Sequence, residues 1–408
     1  MLIKYELLKR LRKKSTLIVM AVSLLITAFL FGLPVIQFQA YNQDGVIKGL
    51  KGIAFEKEQY SDLSIYLTDE YITETIGEVQ ELFENQDNVG YDGNEKFLIG
   101  DVYWNYIAPR ESMLDMIALN YVNPGLSAGY NKLPEVDVSN GANFYRTREM
   151  KIDALLESPS RNLSKEKIDY WKDMNGKVKE PFQYGYHKAW TTIISCFELL
   201  IFPILAICIA VAPVFSGEYQ AGMDAVLLSA RYGKTRLATG KIISSLLFGV
   251  LAFTFHVIVA FGIPIAAYGV DGWNLPLQIA GTTIPYPFSF LQAVIHNLAV
   301  IYIVLIAIIS LTLFLSAKLK STYIVLAILV PALFIPIFLS PNGTEGLYNL
   351  ILFLTTYRST MPEFGKFISY QFGGIIMDVF TVRMILYVLL AAVMLPFARR
   401  CFAKHQVV

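Results

Sequence analysis

The sequence predicts an α-helical polytopic membrane protein with six transmembrane helices and one mainly helical (α or α+β) extracytoplasmic domain. Hydrophobic residues make up 55% of the 408 residues and charged residues make up 16%, whereas a typical soluble domain is about 25% charged. The mean hydropathy is +0.48. These values exclude a wholly soluble, disordered, collagen-like or disulfide-stapled chain. The net charge of +1 also argues against a nucleic-acid-binding protein.

Charge divides the chain into two parts. Of the 33 acidic residues, 25 lie in residues 41–188 together with 16 of the 34 basic residues, so this segment carries about −9. The remaining 260 residues hold 18 basic and 8 acidic groups, about +10, around long uncharged runs. We therefore expect the polar segment to be a domain outside the bilayer and the rest to be the membrane part.

Apolar runs long enough to cross a bilayer locate the spans. A helix needs about 20 apolar residues to cross about 30 Å of hydrocarbon. A first span is predicted at 15–37, after a basic cytoplasmic N-terminus at 1–14. This run is too long for the apolar core of a signal peptide, which favours an uncleaved signal anchor. A five-helix membrane region at 189–408 is predicted to contain spans at about 190–215, 242–270, 291–316, 321–339 and 384–398.

Three segments near the C-terminus are short for a span. The run 384–398 has only 15 residues, so Arg383 is expected to snorkel at its outer end. Residues 347–357 and 372–380 are expected to form short re-entrant or interfacial pieces.

Basic residues predict the orientation, because short cytoplasmic loops are enriched in Lys and Arg. With the N-terminus inside, the short outer loops hold three basic residues, Arg358, Lys366 and Arg383, and the cytoplasmic pieces hold fifteen. We therefore expect a multi-pass protein of the cell membrane with both termini in the cytoplasm. The fifteen are Lys4, Lys9, Arg10, Arg12, Lys13, Lys14, Arg231, Lys234, Arg236, Lys241, Lys318, Lys320, Arg399, Arg400 and Lys404.

The segment 38–188 is expected to form the extracytoplasmic domain. Thr68 followed by two acids is a typical helix start, and an apolar face follows it. Further helices are predicted over 110–122 and 151–157, and from a cap at Ser164 onward. The domain has no cysteine, which fits a bacterial protein that folds without disulfides. The residues of the apolar face after Thr68 are Ile72, Ile76, Val79 and Phe83.

Signatures of catalysis and metal binding are missing from the sequence. It has no His-Glu-x-x-His, Cys-x-x-Cys or Gly-x-Ser-x-Gly pattern. Gly233-Lys234-Thr235 is similar to the end of a phosphate-binding loop, but the glycine five residues earlier is replaced by Leu228. We therefore expect no directly bound cofactor, and any ATP used by the protein must bind to a partner.

The loop 216–241, between the second and third predicted spans, carries the most informative pattern. Acidic residues come first, then an apolar patch, then bases. Such a pair of short helices could dock into a groove of another protein. It could equally lie on the membrane surface, where its bases would attract anionic lipid.

This loop resembles the cytoplasmic loop of type-2 ABC exporter permeases, in which a Glu and a Gly precede a Leu-Leu-Ser segment, a basic break and a Lys that leads into the next span. The order of one span, a large outer domain and five further spans is similar too. The resemblance implies a coupling helix that docks into a separate ATP-binding-cassette ATPase subunit. It also implies pairing with a second permease copy or a paralogue. The matching residues are Glu218, Gly222, Leu227, Leu228, Arg231, Lys234, Arg236 and Lys241.

Glu198 is the one acid inside a predicted span. Counted from Trp190 it would lie about 12 Å inside the outer surface, where a charge costs a few kcal/mol. It is either a residue of a substrate or proton path, or a neutral carboxyl hydrogen-bonded between helices.

Two functions fit this sequence. The first is the permease subunit of an ABC exporter for a peptide, antibiotic, lipid-like or drug substrate, driven by ATP hydrolysis in a separate subunit. The second is a membrane signal relay whose outer domain senses a ligand and moves a cytoplasmic partner. A membrane-embedded enzyme is disfavoured because no polar constellation is present.

Overall fold

The chain begins with a short basic helix and a long apolar helix. In the computed structural model, which describes residues 2–230 and 232–405, these are α1 (Leu2–Leu11) and α2 (Lys14–Ile36). No charged residue follows Lys14 before Asp44, so α2 continues for about six turns.

The segment 38–188 folds as helices joined by small antiparallel ladders. β1–β2 and β4–β5 are hairpins, whereas β3 pairs with β6 and so joins the two ends of the segment. The elements are β1 (Gln39–Asn42), β2 (Gly45–Lys48), α3 (Gly49–Gln59), β3 (Ile65–Leu67), α4 (Asp69–Glu84), β4 (Val89–Asp92), β5 (Glu95–Leu98), α5 (Gly100–Val102), α6 (Glu111–Tyr121), α7 (Phe144–Glu157), α8 (Lys165–Asn175) and β6 (Phe182–Tyr184).

Two of these helices, α4 and α8, begin at the capping residues that the sequence predicts. Thr68 accepts a hydrogen bond from the Tyr71 amide at the start of α4. Ser164 accepts one from the Lys167 amide at the start of α8. Both predicted caps are therefore confirmed. The apolar face of α4 packs into the core of the domain, where Ile72, Ile76 and Val79 are fully buried and Phe83 is half-buried.

The remaining elements form the membrane part and its connections. α9 to α11 are separated by short breaks in what the sequence predicts as one span. The elements are α9 (Lys188–Ser195), α10 (Ile201–Val211), α11 (Pro213–Gln220), α12 (Asp224–Ser229), α13 (Ala238–Tyr268), α14 (Phe290–Lys318), α15 (Thr322–Phe334), α16 (Leu347–Phe353), β7 (Ser369–Phe372), β8 (Ile375–Asp378) and α17 (Val379–Ala403).

Five helical segments among the described residues are long and apolar enough to cross a membrane, and the fold is that of a polytopic α-helical membrane protein. A shorter apolar segment, Thr322–Phe338, joins the 13-residue α15 to a four-residue 3₁₀ turn, about 28 Å in all. A sixth crossing by this segment stays a prediction. The five are Lys14–Ile36, Phe197–Gln220, Gly233–Tyr268, Phe290–Lys318 and Val379–Ala403.

The membrane helices pack with the 38–188 domain at one end. α14 and α17 form the most extensive pair, and α13 packs along α1 and α2. At the domain end, Lys167 Nζ lies 2.6 Å from a Glu345 carboxylate oxygen. Trp171 Nε1 donates to Ser369 Oγ at 3.2 Å, and Arg148 Nε donates to the Thr282 carbonyl at 2.7 Å. The loops predicted to be external therefore share one end with the predicted outer domain.

Arg383 corrects one expectation. It was expected to snorkel at the outer end of a 15-residue span, but it is fully buried. α17 starts five residues before that span, at Val379 after the Asp378 cap, so Arg383 lies inside the helix. Its Nε donates to the Phe353 carbonyl at 3.0 Å and its Nη1 to the Met361 carbonyl at 3.1 Å. The guanidinium satisfies backbone carbonyls of the α16 region.

The two short pieces expected near the C-terminus differ from each other. Residues 347–357 contain the short helix α16. Residues 372–380 instead contain β8 of the β7–β8 hairpin and the first turn of α17, since a glycine with φ of +61° at Gly373 allows the hairpin turn.

Candidate functional site

The loop between the second and third long apolar segments begins with a glycine turn. α11 ends at Gln220, and Gly222 has a φ of +64°, which side chains of L residues rarely adopt. The Met223 amide donates to the Glu218 carbonyl at 3.0 Å, and α12 starts at the next residue. Gly222, one of the predicted site residues, therefore allows α12 to follow α11 directly.

α12 has a buried side and an exposed apolar side. Leu228 is buried and Leu227 is half-buried. Met223 and Val226 are 46% and 62% exposed, and Ala225 beside them is exposed. We call Met223, Ala225 and Val226 the α12 apolar face. Exposed apolar groups grouped in this way are typical of an interaction surface.

The turn that leads from α12 to α13 is tight and carries basic side chains. Gly233 lies so close to the Leu227 carbonyl that a Cβ at position 233 would be 1.6 Å from its oxygen. Lys234 and Arg236 are exposed in the π-turn that follows. Because the helix α12, and not a strand, precedes the Gly-Lys-Thr sequence, a phosphate-binding loop is absent from this described stretch. Arg231, another predicted site residue, lies outside the described residues.

Beneath this loop is a buried ion cluster of Glu6, Glu218 and Lys241, with the exposed Lys9 at its edge. Lys241 Nζ lies 2.7 Å from Glu218 Oε1 and 3.4 Å from Glu6 Oε2. Lys9 Nζ lies 3.0 Å from the same Glu218 oxygen. The Lys241 side chain is only 3% exposed. Two predicted site residues, Glu218 and Lys241, thus join α11 and α13 to the N-terminal helix instead of facing solvent.

Arg10 extends this junction by one turn of α1. Its Nη2 donates to Ser245 Oγ at 2.8 Å, and its guanidinium lies 5.4 Å from the centre of the Phe248 ring. Burial lowers the pKa of Arg10 to about 10, and Glu6 opposes the shift, so the side chain stays charged at neutral pH. α1 is therefore attached to α13 by the Glu6–Lys241 ion pair and by the contacts of Arg10 with Ser245 and Phe248.

The C-terminal end of the described chain contacts α11 and α12. His405 Nε2 lies 3.0 Å from Asp224 Oδ2 at the start of α12. The His405 ring stacks on Tyr219 with 4.0 Å between ring centres. Phe402 lies 4.7 Å from Phe215. α11 and α12 are thus joined through Phe402 at the end of α17 and His405 just after it.

The connection between α14 and α15 completes the surroundings of the loop. The Tyr219 hydroxyl donates to the Ala317 carbonyl at 3.0 Å, and Thr322 Oγ1 donates to Gln220 Oε1 at 3.0 Å. The four chain segments predicted to be cytoplasmic therefore meet around α11 and α12. All four also lie at the end opposite the 38–188 domain.

Glu198 follows a break in the helix that the sequence predicts from Trp190 onward. That count took one straight helix from Trp190, but the long apolar segment starts at Phe197, and Glu198 belongs to its first, 3₁₀ turn. The Tyr357 hydroxyl donates to Glu198 Oε2 at 3.0 Å. This contact agrees with the hydrogen-bonded alternative, and a role of Glu198 in a path stays a prediction.

Within residues 2–230 and 232–405, no three His, Cys, Asp or Glu side chains come together as a metal site. The arrangement around α11 and α12 is an apolar surface attached to three long helices by ion pairs and ring stacking, which suits it to transmit movement. Sequence reasoning missed Glu6, Asp224 and His405 as members of the junction. The only signal was the Glu6 to Arg10 spacing on α1, which puts both on one helix face.

The comparison with protein families gives a match over nearly the whole chain. The family described as ABC-2 family transporter protein matches residues 1–404. No curated protein and no solved structure matches the chain significantly. Such permeases work with a separate ABC ATPase subunit, and the membrane-spanning helices described above fit a multi-pass cell-membrane protein. The chain belongs to the ABC-2 transporter family and is a permease subunit.

Proposed function

We propose that this permease exports an amphipathic molecule, such as a peptide, antibiotic, lipid-like compound or drug, with energy from ATP hydrolysed by its ATPase subunit. The N- and C-termini and the loop 216–241 are on the cytoplasmic side, and the 38–188 domain is outside. The segregation of basic residues supports this orientation.

The observation that carries the proposal is the exposed apolar face of α12 above a rigid base. Met223 and Val226 point away from the chain, whereas Leu228 anchors α12 from beneath. The ATPase subunit binds this face, and the exposed bases Lys234 and Arg236 lie at its edge. Apolar centres with polar rims are the usual anatomy of protein interfaces.

Coupling follows from what the loop is attached to. A displacement of α12 is transmitted to α11 through the turn at Gly222, and to α1 and α13 through the buried ion cluster. It reaches α17 through the Asp224–His405 contact. Movement of the ATPase therefore shifts several spans together, and a pathway between two permease copies or paralogues opens alternately to each side.

Transport into inverted membrane vesicles tests the proposal. Vesicles that contain the permease and its ATPase should accumulate the exported compound when ATP is supplied, but not with a non-hydrolysable ATP analogue. The candidate compounds are fluorescent peptides and amphipathic dyes. ATP hydrolysis that responds to an external compound, without any accumulation of that compound, would instead identify a signal relay.

A further inference from the structure

A cavity of about 300 Å³ lies in the 38–188 domain between β1, α3, the π-turn that follows α5, and α6. Four aromatic side chains and two carboxylates line it, which sets it apart from a general polar surface cleft. Its volume is at the lower end of the range typical of small-molecule sites. The side chains are Tyr41, Glu56, Tyr60, Tyr103, Trp104 and Glu111.

The π-turn supplies two adjacent walls of this cavity. Its five residues, Tyr103–Ile107, are closed by a hydrogen bond from the Ala108 amide to the Tyr103 carbonyl at 2.8 Å. The rings of Tyr103 and Trp104 are 5.0 Å apart with a 77° angle between their planes, so consecutive residues present two differently oriented rings to one space. π-Turns occur frequently at functional sites.

Glu56 provides the first carboxylate of the cavity. Oε1 lies 3.5 Å from Lys188 Nζ. The buried Tyr186 hydroxyl lies beside the same carboxylate and interacts with it. The Lys188 contact is long for an ion pair, so a cation in the cavity would add to the compensation of the Glu56 charge.

Glu111 is the second carboxylate, at the start of α6. The Tyr103 hydroxyl lies 3.4 Å from its Oε2. Burial, and then the neighbouring Asp115, raise the pKa of Glu111 above its ordinary value. A positive ligand would favour the ionised form of this group.

We propose that this cavity binds a small molecule or headgroup that carries a quaternary ammonium. Ring faces attract such a cation through their quadrupoles, with Trp the strongest, and carboxylates balance its charge. A metal ion is a poor fit because two carboxylates supply too few ligands. The proposal concerns the outer domain and does not depend on the ATPase-coupling role of the α12 apolar face.

Isothermal titration of the full-length protein tests this proposal, in a maltoside detergent that has no ammonium group. Choline should bind saturably. Its neutral tert-butyl isostere, in which carbon replaces the nitrogen, should bind at least tenfold more weakly. The double variant Glu56→Gln with Glu111→Gln should lose about tenfold in affinity for choline. Trp104→Ala should lose a similar amount, and Trp104→Phe should lose less.

Matched controls separate a site from a folding defect. Glu95→Gln changes an exposed carboxylate of β5, away from the cavity, and should bind choline as the unchanged protein does. The melting temperature of every variant is measured in parallel. The proposal is overturned if choline does not bind saturably, if the isostere binds equally well, or if the double Gln variant keeps full affinity while folded.

Comparing nanodiscs of phosphatidylcholine with nanodiscs of phosphatidylglycerol shows whether the quaternary ammonium belongs to a lipid headgroup or to a soluble molecule. Competition with free choline only in the former indicates a lipid headgroup, and equal choline binding in both indicates a soluble ligand.

Discussion

Lys241 of α13 contacts Glu218 of α11 at 2.7 Å and Glu6 of α1 at 3.4 Å, almost completely shielded from solvent. One ammonium group therefore connects the N-terminal helix with the helices on both sides of the loop. If Lys241 is removed, two carboxylates remain buried and close together. Breaking a buried charge pair from one side costs about 3–5 kcal/mol.

We therefore expect Lys241→Met to destabilise the protein by about 3 kcal/mol, measured by thermal unfolding in detergent. Combining it with Glu218→Gln should restore part of the stability, because the repulsion between the Glu6 and Glu218 carboxylates is then removed. Lys234→Met changes an exposed lysine of the same loop and should change stability by less than about 0.5 kcal/mol. Equal stability of Lys241→Met and Lys234→Met would contradict the buried ion cluster.

His405 is predicted to hold α12 in place. His405→Ala removes both the contact with Asp224 and the stacking on Tyr219, which together contribute about 1 kcal/mol or more. Amide hydrogen exchange of residues 224–229 should then become at least fivefold faster. Lys404→Ala, at the exposed neighbouring position, is the control and should leave exchange unchanged. Unchanged exchange in His405→Ala would mean that the C-terminal contact does not restrain the loop.

Arg383 is predicted to stabilise the α16 region through its hydrogen bonds to the Phe353 and Met361 carbonyls. Arg383→Met removes both hydrogen bonds, at a cost of about 2 kcal/mol; the Met361 carbonyl keeps the bond from the Glu363 amide, so most of the loss arises at the Phe353 carbonyl. Arg383→Lys should not restore stability, because one ammonium cannot reproduce the planar guanidinium geometry. Arg400→Met, at an exposed position near the other end of α17, serves as the control in the same thermal unfolding assay. A snorkelling Arg383 would tolerate lysine fully.

The affinity of the aromatic cavity for choline should rise with pH. Asp115 on α6, Tyr103, Tyr130 and Glu56 surround Glu111, and burial raises its pKa. Below that raised pKa Glu111 is neutral and attracts the cation less. Affinity is therefore highest above it and falls as the pH falls through it, since choline keeps its charge throughout. In Glu111→Gln this pH dependence should become flatter. A wild-type affinity that stays constant as the pH falls from 8 to 4 would contradict this role.

The membrane part was largely predictable because long uncharged runs allow few alternatives. α2, α13 and α14 start and end within a few residues of the predicted spans. Arg383 was misplaced because hydropathy gives the length of an apolar run but not the neighbours of a charge at its end. Asp378 caps α17 and extends it past the apolar run.

The position of the candidate site in the chain was predictable, but the orientation of its charged side chains was not. The pattern from Glu218 to Lys241 identified the loop, yet the sequence could not show which charges face inward. That depends on α1, whose Glu6 is 235 positions from Lys241. The Asp224–His405 contact spans 181 positions, and no local signal links these residues. Pairings at such separations are decided by helix packing.

The most direct test is the amount of ABC-type ATPase that co-purifies with the full-length permease from the membranes of its own cells, measured by mass spectrometry. The unchanged protein should retain such an ATPase. Val226→Glu, in the α12 apolar face, should reduce the retained amount at least tenfold, while the thermal stability of the permease changes by less than about 0.5 kcal/mol. Val46→Glu is the matched control, since Val46 is an exposed valine of the 38–188 domain, and should retain the ATPase fully. Full retention by Val226→Glu would contradict docking at the α12 apolar face.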